Sequence, residues 1–149
     1  MKKPIVTDSA CLIGLERIGC LDILPALFDP IIIPPEVQRE FGGPLDWLQV
    51  KVPNNQALIN ALKLLVDDGE AEAIALAYEH HSLLILDDRQ ARSVAQRLTI
   101  PIIGTIGVLL LAKQAGILAS VGSILIELES ASFYVSDALK REALRLAGE

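Results

Sequence analysis

The stretch LLILDDRQARSVAQRLTIPII, at positions 83–103, predicts a strand, a helix and a second strand in immediate succession. The apolar runs at 83–86 and 100–103 have the length of buried strands. Between them, residues 89–98 place apolar side chains at the spacing of an amphipathic helix. Short apolar strands separated by helices are typical of parallel sheets covered on both faces, so this stretch indicates an α/β fold.

The rest of the chain continues this alternation. Further predicted strands are the β-rich runs at 5–7, 31–33, 47–52 (as an edge strand) and 133–135. Helical patterns lie between them, including 54–66 and 69–81, which Asp67, Asp68 and Gly69 separate. We therefore predict a three-layer α/β/α architecture with a mainly parallel central sheet, formed by a single domain over residues 1–149.

Composition favours a globular protein. Hydrophobic residues make up 52% of the 149 positions and charged residues 21%, which excludes intrinsic disorder. Mean hydropathy is high at +0.45, so a membrane span has to be considered. The longest candidate stretch, 102–112, falls short of the roughly 18 residues that such a span needs. Asp8 interrupts the apolar start, so no signal peptide is expected. Cys11 and Cys20 match no metal or redox spacing, and we expect free thiols in a cytoplasmic protein.

The net charge is unusual for a protein that binds nucleic acid. The chain has 13 Lys and Arg residues against 19 Asp and Glu residues, for a net charge of −6. Because nucleic-acid-binding domains usually have a basic excess, any phosphate binding here requires a local basic patch or bridging metal ions.

Carboxylates follow two of the predicted strands directly. Asp8 follows the first strand, and Asp87 and Asp88 follow the strand at 83–86. In α/β sheets ligands bind at the carboxyl ends of strands, so these positions are candidate site residues. The alternative is helix capping, for which Asp is a preferred residue. An adjacent pair exceeds what one cap requires, and its repulsion favours a nearby cation.

Two predicted helices carry further candidate acids. On the helix after Gly69, Glu70 falls within the apolar arc, whereas Glu72 and Glu79 fall on the opposite side, where solvent is expected. Glu70 could instead serve the helix dipole. On the short helix before Gly42, Glu40 borders the apolar stripe, although it could also belong to a solvated acidic face. Clustered carboxylates suit Mg²⁺ or Mn²⁺, and two such ions can activate water for phosphoryl displacement.

Five segments together resemble a known family. They are IVTDSACLIGLERIG at 5–19, IIIPPEVQREF at 31–41, DGEAEAIALA at 68–77, LLILDDRQARSVAQRL at 83–98 and PIIGTIGVLLLAKQAG at 101–116. Over nearly the whole chain, the sequence resembles a PIN domain, the ribonuclease fold of VapC-type toxins. It most resembles a prokaryotic PIN subgroup long left as a domain of unknown function.

The resemblance implies a divalent-metal-dependent endoribonuclease that uses Mg²⁺ or Mn²⁺ and leaves 3′-hydroxyl and 5′-phosphate ends. The acidic residues to which it gives roles are ones that their sequence positions also select, whereas the hydroxyl residues come from the resemblance alone. The catalytic candidates are Asp8, Glu40, Glu70 and Asp88, the metal ligands Asp8, Glu70, Asp87 and Asp88, and the supporting hydroxyls Ser9 and Thr105. Many PIN nucleases have Asp where this chain has Glu70. Which of Asp87 and Asp88 binds the metal stays open, and helix capping explains Thr105 equally well.

The amphipathic helix at 89–98 offers a local basic patch on a chain whose net charge is negative. Arg89, Arg92 and Arg97 lie outside its apolar face, next to the acidic pair, and could hold an RNA backbone. An ordinary solvated face is the alternative.

Three functions compete on these observations. The first is a ribonuclease toxin that cleaves RNA, binds a small antitoxin and forms a homodimer. The second is a phosphate-accepting receiver domain, although receivers carry their acidic pair after the first strand. The third is a catalytically silent module that binds a partner through exposed apolar residues, for which the candidates are Leu21, Leu24, Leu27, Phe28 and Trp47.

Overall fold

The computed structural model describes all residues from 1 to 149. Its strands are β1 (Lys3–Thr7), β2 (Phe28–Ile33), β3 (Leu48–Val50), β4 (Leu83–Ile85) and β5 (Ile102–Ile103). Its helices are α1 (Ser9–Arg17), α2 (Ile23–Leu27), α3 (Pro35–Phe41), α4 (Gln56–Leu62), α5 (Asp68–His80), α6 (Arg89–Arg97), α7 (Thr105–Gln114), α8 (Val121–Ser130) and α9 (Asp137–Leu146). The predicted α/β alternation is confirmed.

The five strands form one parallel sheet in the order β3-β2-β1-β4-β5. Central strand β1 pairs on one side with β2 and on the other with β4, so Thr7 lies beside Ile85. Ile5 and Val6 are completely buried, as expected of a strand covered on both faces. The nine helices flank this sheet in a three-layer α/β/α arrangement. This register brings the residues that follow β1 and β4 to one edge of the sheet.

Helix α5 lies deep in the molecule. Ala71 and every residue from Ala73 to Ala77 are buried, and the helix packs against α3, α4, β1 and β4. Its small alanine side chains allow this close approach. The helix therefore has no broad solvent face.

The predicted strand at 133–135 is wrong, because this segment is an irregular connection between α8 and α9. Its apolar side chains are used for packing instead. A Cβ added to Gly14 of α1 would lie 2.8 Å from Cδ2 of Phe133, and Val135 is buried. An apolar run this short has the same pattern in a strand and in a packed loop.

The apolar set proposed as an exposed partner surface belongs instead to the core. Leu24 and Phe28 are buried, and Leu21, Leu27 and Trp47 are half-buried against it. No helix is both long enough and apolar enough to cross a membrane.

Candidate functional site

A small cavity of about 100 Å³ lies where β1 and β4 end. It is lined by Asp8, Ser9, Ala10, Asp67, Gly69, Glu70 and Asp88. Every titratable side chain in this lining is a carboxylic acid. The tertiary fold thus brings together three of the acids singled out from sequence, Asp8, Glu70 and Asp88.

Asp8 is fixed by backbone groups on both sides. Its Oδ1 accepts a hydrogen bond from the Cys11 N–H at 3.0 Å, which caps α1, and its Oδ2 accepts from the Asp87 N–H at 3.0 Å. The residue is only 6% exposed. This burial, together with the nearby charge of Asp87, raises the pKa of the Asp8 carboxyl to about 8.

Glu70 and Asp67 form a capping box at the start of α5. The Glu70 N–H donates to Asp67 Oδ1 at 2.8 Å, and the Asp67 N–H donates to Glu70 Oε1 at 3.2 Å. Burial raises the pKa of Glu70 to about 7. Asp67 is not among the site residues predicted from sequence, although the spacing D-x-x-E at 67–70 is a capping-box signal.

The adjacent acids Asp87 and Asp88 point to different partners. Asp88 caps α6, because its Oδ2 accepts from the Ala91 N–H at 2.9 Å, and it lines the cavity. Asp87 does not line the cavity. Its Oδ1 accepts from the Thr105 N–H at 2.8 Å and its Oδ2 from the Thr105 hydroxyl at 2.6 Å. Of the pair, only Asp88 lines the cavity, although the charge of Asp87 is close enough to Asp8 to raise the pKa of its carboxyl.

Glu40 lies beside the cavity rather than in its lining. A Cβ added to Gly69 would overlap the Glu40 carboxylate, so the glycine makes room for this side chain. Partial burial and the charge of Asp67 raise the pKa of Glu40, while Ser9 and Arg39 partly offset that rise. Ser9 therefore lines the cavity and also interacts with the Glu40 side chain.

Glu72 and Glu79, which were expected in solvent, are half-buried and accept hydrogen bonds from the backbone of other segments. Glu72 Oε1 accepts from the Glu36 N–H at 3.2 Å, at the start of α3. Glu79 Oε1 accepts from the N–H groups of Asn54 and Asn55 at 2.6 and 2.7 Å. Helical periodicity identified the face of α5 opposite Glu70 correctly, but other elements cover that face.

Four helix N-termini lie in this region, and at each of them an Asp carboxylate accepts a hydrogen bond from a backbone N–H. Asp8 caps α1, Asp67 caps α5, Asp88 caps α6, and Asp87 accepts from the first N–H of α7. The partial positive charge of a helix N-terminus stabilises a nearby carboxylate. Capping and membership of the acidic cluster are therefore compatible for Asp8 and Asp88.

The fit of the cavity to a divalent cation depends on the number and chemistry of its donor atoms. No three Asp, Glu, His or Cys side chains lie close enough together to form a metal site as they stand. The donor chemistry does fit: the lining supplies carboxylate oxygens, and Glu70 Oε2 and Asp88 Oδ1 accept no hydrogen bond from the protein. Hard cations such as Mg²⁺ prefer such oxygens and keep several waters. The residues that would hold the ion are Asp8, Glu70 and Asp88.

The three arginines of α6 do not share one face. Arg92 is half-buried, and its Nη1 donates to the Leu86 carbonyl at 2.8 Å. Arg89 is exposed, and Arg97 is exposed beside a groove between α4 and α6. The expectation that all three are available to hold an RNA backbone is therefore wrong for Arg92, because its guanidinium is held at the end of β4.

A family model described as a PIN domain matches residues 4–149. No curated protein and no solved structure shows significant similarity to the chain. The match extends over nearly the whole sequence rather than over one motif.

Proposed function

Since the chain belongs to the PIN-domain family, we propose that it is an endoribonuclease that depends on Mg²⁺ or Mn²⁺. PIN domains are generally nucleases, and those nucleases typically use divalent metals. The observation that carries the proposal is the cavity at the ends of β1 and β4, in which every titratable side chain is a carboxylic acid. Its position matches the rule that ligands of α/β sheets bind at the carboxyl ends of strands.

The electrostatics of the cavity support a bound cation. Burial and mutual repulsion raise the pKa of Asp8 to about 8 and that of Glu70 to about 7. Since a nearby positive charge favours the ionised form of a carboxyl group, a divalent cation would offset both effects. When bound, such an ion lowers the pKa of water and stabilises the charge of a phosphodiester under attack.

Within this proposal the chain's own residues hold and orient the site. Asp8, Glu70 and Asp88 supply carboxylate oxygens, each from a first helical turn or its cap. Glu40 adds a carboxylate beside Gly69. For RNA, we assign backbone contacts to Arg89 and Arg97, which are exposed on α6.

We further propose that the protein is a VapC-like toxin that acts as a homodimer and is controlled by a small antitoxin. A protein partner is supported by the exposed apolar side chains of Leu64 and Leu65, which are 85% and 55% exposed. Leu65 also lines the groove of about 450 Å³ between α4 and α6. Co-purification with the product of a small neighbouring reading frame would test this part.

The alternatives have less support. Membership of the PIN-domain family gives no support to a receiver domain. A silent binding module would keep the fold. It would not need a cavity in which every titratable side chain is an acid.

The proposed activity is tested with two Gln variants on the same helix. Glu70→Gln keeps an oxygen that can accept from the Asp67 N–H but loses a carboxylate in the cavity. Glu72→Gln makes the same change two residues away, where the partner is the Glu36 N–H. We expect wild type and Glu72→Gln to cleave single-stranded RNA with Mn²⁺, and Glu70→Gln to be inactive. Both variants should keep their thermal stability within about 0.5 kcal/mol.

Cleavage is followed on end-labelled RNA with Mn²⁺, with Mg²⁺ and with EDTA. Cleavage that persists in EDTA would contradict the metal dependence. A fully active Glu70→Gln variant would remove the cavity from the reaction. RNA binding without cleavage under all metal conditions would favour the silent binding module.

A further inference from the structure

We infer that Asp87 and Thr105 are positioning residues that hold the Asp8 carboxylate, and that Asp87 is not itself a ligand of the metal ion. The claim that Asp87 is not a metal ligand rests on the proposed metal-dependent function. The positioning role of Asp87 and Thr105 concerns hydrogen bonds that exist without metal.

The Asp87 carboxylate is already engaged by Thr105. Both of its oxygens accept, one from the Thr105 N–H at 2.8 Å and the other from the hydroxyl at 2.6 Å. Thr105 is completely buried at the first position of α7. Asp8 also accepts two hydrogen bonds, but it lines the cavity, whereas the Asp87 carboxylate lies outside that lining and is held against the start of α7.

The backbone of Asp87 transmits this constraint to the cavity. Its N–H donates to Asp8 Oδ2 at 3.0 Å. The Asp87 side chain is anchored to α7, so the direction of this N–H is fixed by an element that does not line the cavity. The Asp8 carboxylate is therefore held from two directions, by the Cys11 N–H of α1 and by the Asp87 N–H.

Two neighbouring groups support the same turn. Arg92 donates to the Leu86 carbonyl at 2.8 Å, immediately before Asp87. A Cβ added to Gly104 would lie 3.0 Å from Arg92 Nη1 and 3.2 Å from Asp87 Oδ1. Gly104 thus allows the guanidinium and the carboxylate to approach the start of α7 closely.

Asn substitutions separate a positioning residue from a ligand. Asn at position 87 can still accept from the Thr105 N–H through its oxygen and donate to the Thr105 hydroxyl through its amide. Asn at position 88 can still cap α6, but it loses the carboxylate that lines the cavity. Both variants therefore keep their local hydrogen bonds, but only Asp88→Asn is predicted to lose metal binding.

We expect Mn²⁺ titrations, followed by electron paramagnetic resonance, to give a Kd for Asp87→Asn within about threefold of wild type. Asp88→Asn should weaken Mn²⁺ binding by about tenfold or more, because it removes one of the three carboxylates assigned to the ion. Equal losses in the two variants would overturn the assignment of Asp87.

The link to Asp8 is tested in metal-free protein by the carboxyl ¹³C chemical shift of Asp8. Thr105→Val removes the hydroxyl bond to Asp87 and should move this signal, although position 105 makes no hydrogen bond to Asp8. Thr105→Ser keeps the hydroxyl and should restore the wild-type signal, which a general loss of packing would not do. An Asp8 signal unchanged in Thr105→Val would overturn the positioning role. If wild type binds no Mn²⁺, the proposed function fails, and the Asp8 signal still decides this role.

Discussion

At the scale of single residues, Asp8 combines two requirements that oppose each other. Its two oxygens accept backbone hydrogen bonds, which favour the ionised form, while burial and the charge of Asp87 favour the protonated form. Burial dominates, so the folded chain holds this proton up to about pH 8, compared with an ordinary pKa of 3.8. Between these two values the folded state binds more protons than the unfolded state, and the free energy of unfolding falls as pH rises.

Because of the raised Asp8 pKa, the stability of wild type should depend on pH more strongly than that of Asp8→Asn. Asn at position 8 cannot ionise, and like the protonated acid it accepts through one oxygen. Without metal, Asp8→Asn should match wild type within a few degrees at pH 5 and become the more stable protein as pH approaches 9. A change of about 1 kcal/mol moves the melting temperature by roughly 2–4 °C at this chain length. Thermal melts in EDTA across this pH range measure the difference.

The control is Asp22→Asn, at an exposed position whose side chain makes no cap hydrogen bond. Its stability difference from wild type should stay constant with pH. At pH 8, Mn²⁺ should raise the thermal stability of wild type but not that of Asp8→Asn. A difference between Asp8→Asn and wild type that does not change with pH would mean that the Asp8 pKa is not raised.

At the scale of elements, the site depends on how closely α3 and α5 approach each other. Gly69, in the first turn of α5, is buried, and the Glu40 carboxylate of α3 occupies the space that a Cβ would need. The only atoms that would have to move belong to the end of a flexible side chain. Substitution here should therefore displace a site carboxylate without disrupting the fold.

We predict that Gly69→Ala keeps its stability within about 1 kcal/mol, because the better helix propensity of Ala offsets the displacement of Glu40. Its rate of RNA cleavage should fall toward that of Glu40→Gln. Gly43→Ala is the control, since no atom lies within 4 Å of a Cβ added there. Denaturant unfolding and cleavage assays measure the two effects. If Glu40→Gln is inactive while Gly69→Ala is fully active, the position of the Glu40 carboxylate does not matter.

At the scale of the whole molecule, the net charge of −6 opposes RNA at long range. Binding must then depend on local contacts and on the cation in the cavity. Of the arginines on α6, Arg89 and Arg97 are exposed, whereas Arg92 is bound to the Leu86 carbonyl. Substitution of Arg89 or Arg97 should therefore affect RNA binding, whereas substitution of Arg92 should affect stability.

We predict that Arg89→Ala and Arg97→Ala each reduce the salt dependence of single-stranded RNA binding by about 0.7 in log–log slope. Arg92→Ala should leave this slope unchanged and lower the melting temperature, because it frees the Leu86 carbonyl. Arg141→Ala, at an exposed position on α9, is the matched control. RNA affinities measured over a range of salt concentrations give the slopes. Wild-type slopes for Arg89→Ala and Arg97→Ala would place the RNA elsewhere on the surface.

The amino-acid sequence by itself determined the alternation of strands and helices and the positions of Asp8, Asp87, Asp88 and Glu70. Local patterns suffice for these, because hydrophobic periodicity identifies elements and the end of an apolar run marks the end of a strand. The α/β/α architecture follows from the same alternation. The resemblance to a PIN domain also depended on local motifs, and the family match confirms it.

Only the tertiary structure decided which partner each polar side chain has. Periodicity put Glu72 opposite Glu70, but the packing of α3 on α5 covers that side. The sequence could not separate Asp87 from Asp88, because the choice depends on α7, whose first residue, Thr105, binds Asp87. Arg92 was expected in solvent, yet the end of β4 offers it an unpaired carbonyl. These contacts join residues from different elements, and local patterns carry no information about which elements meet.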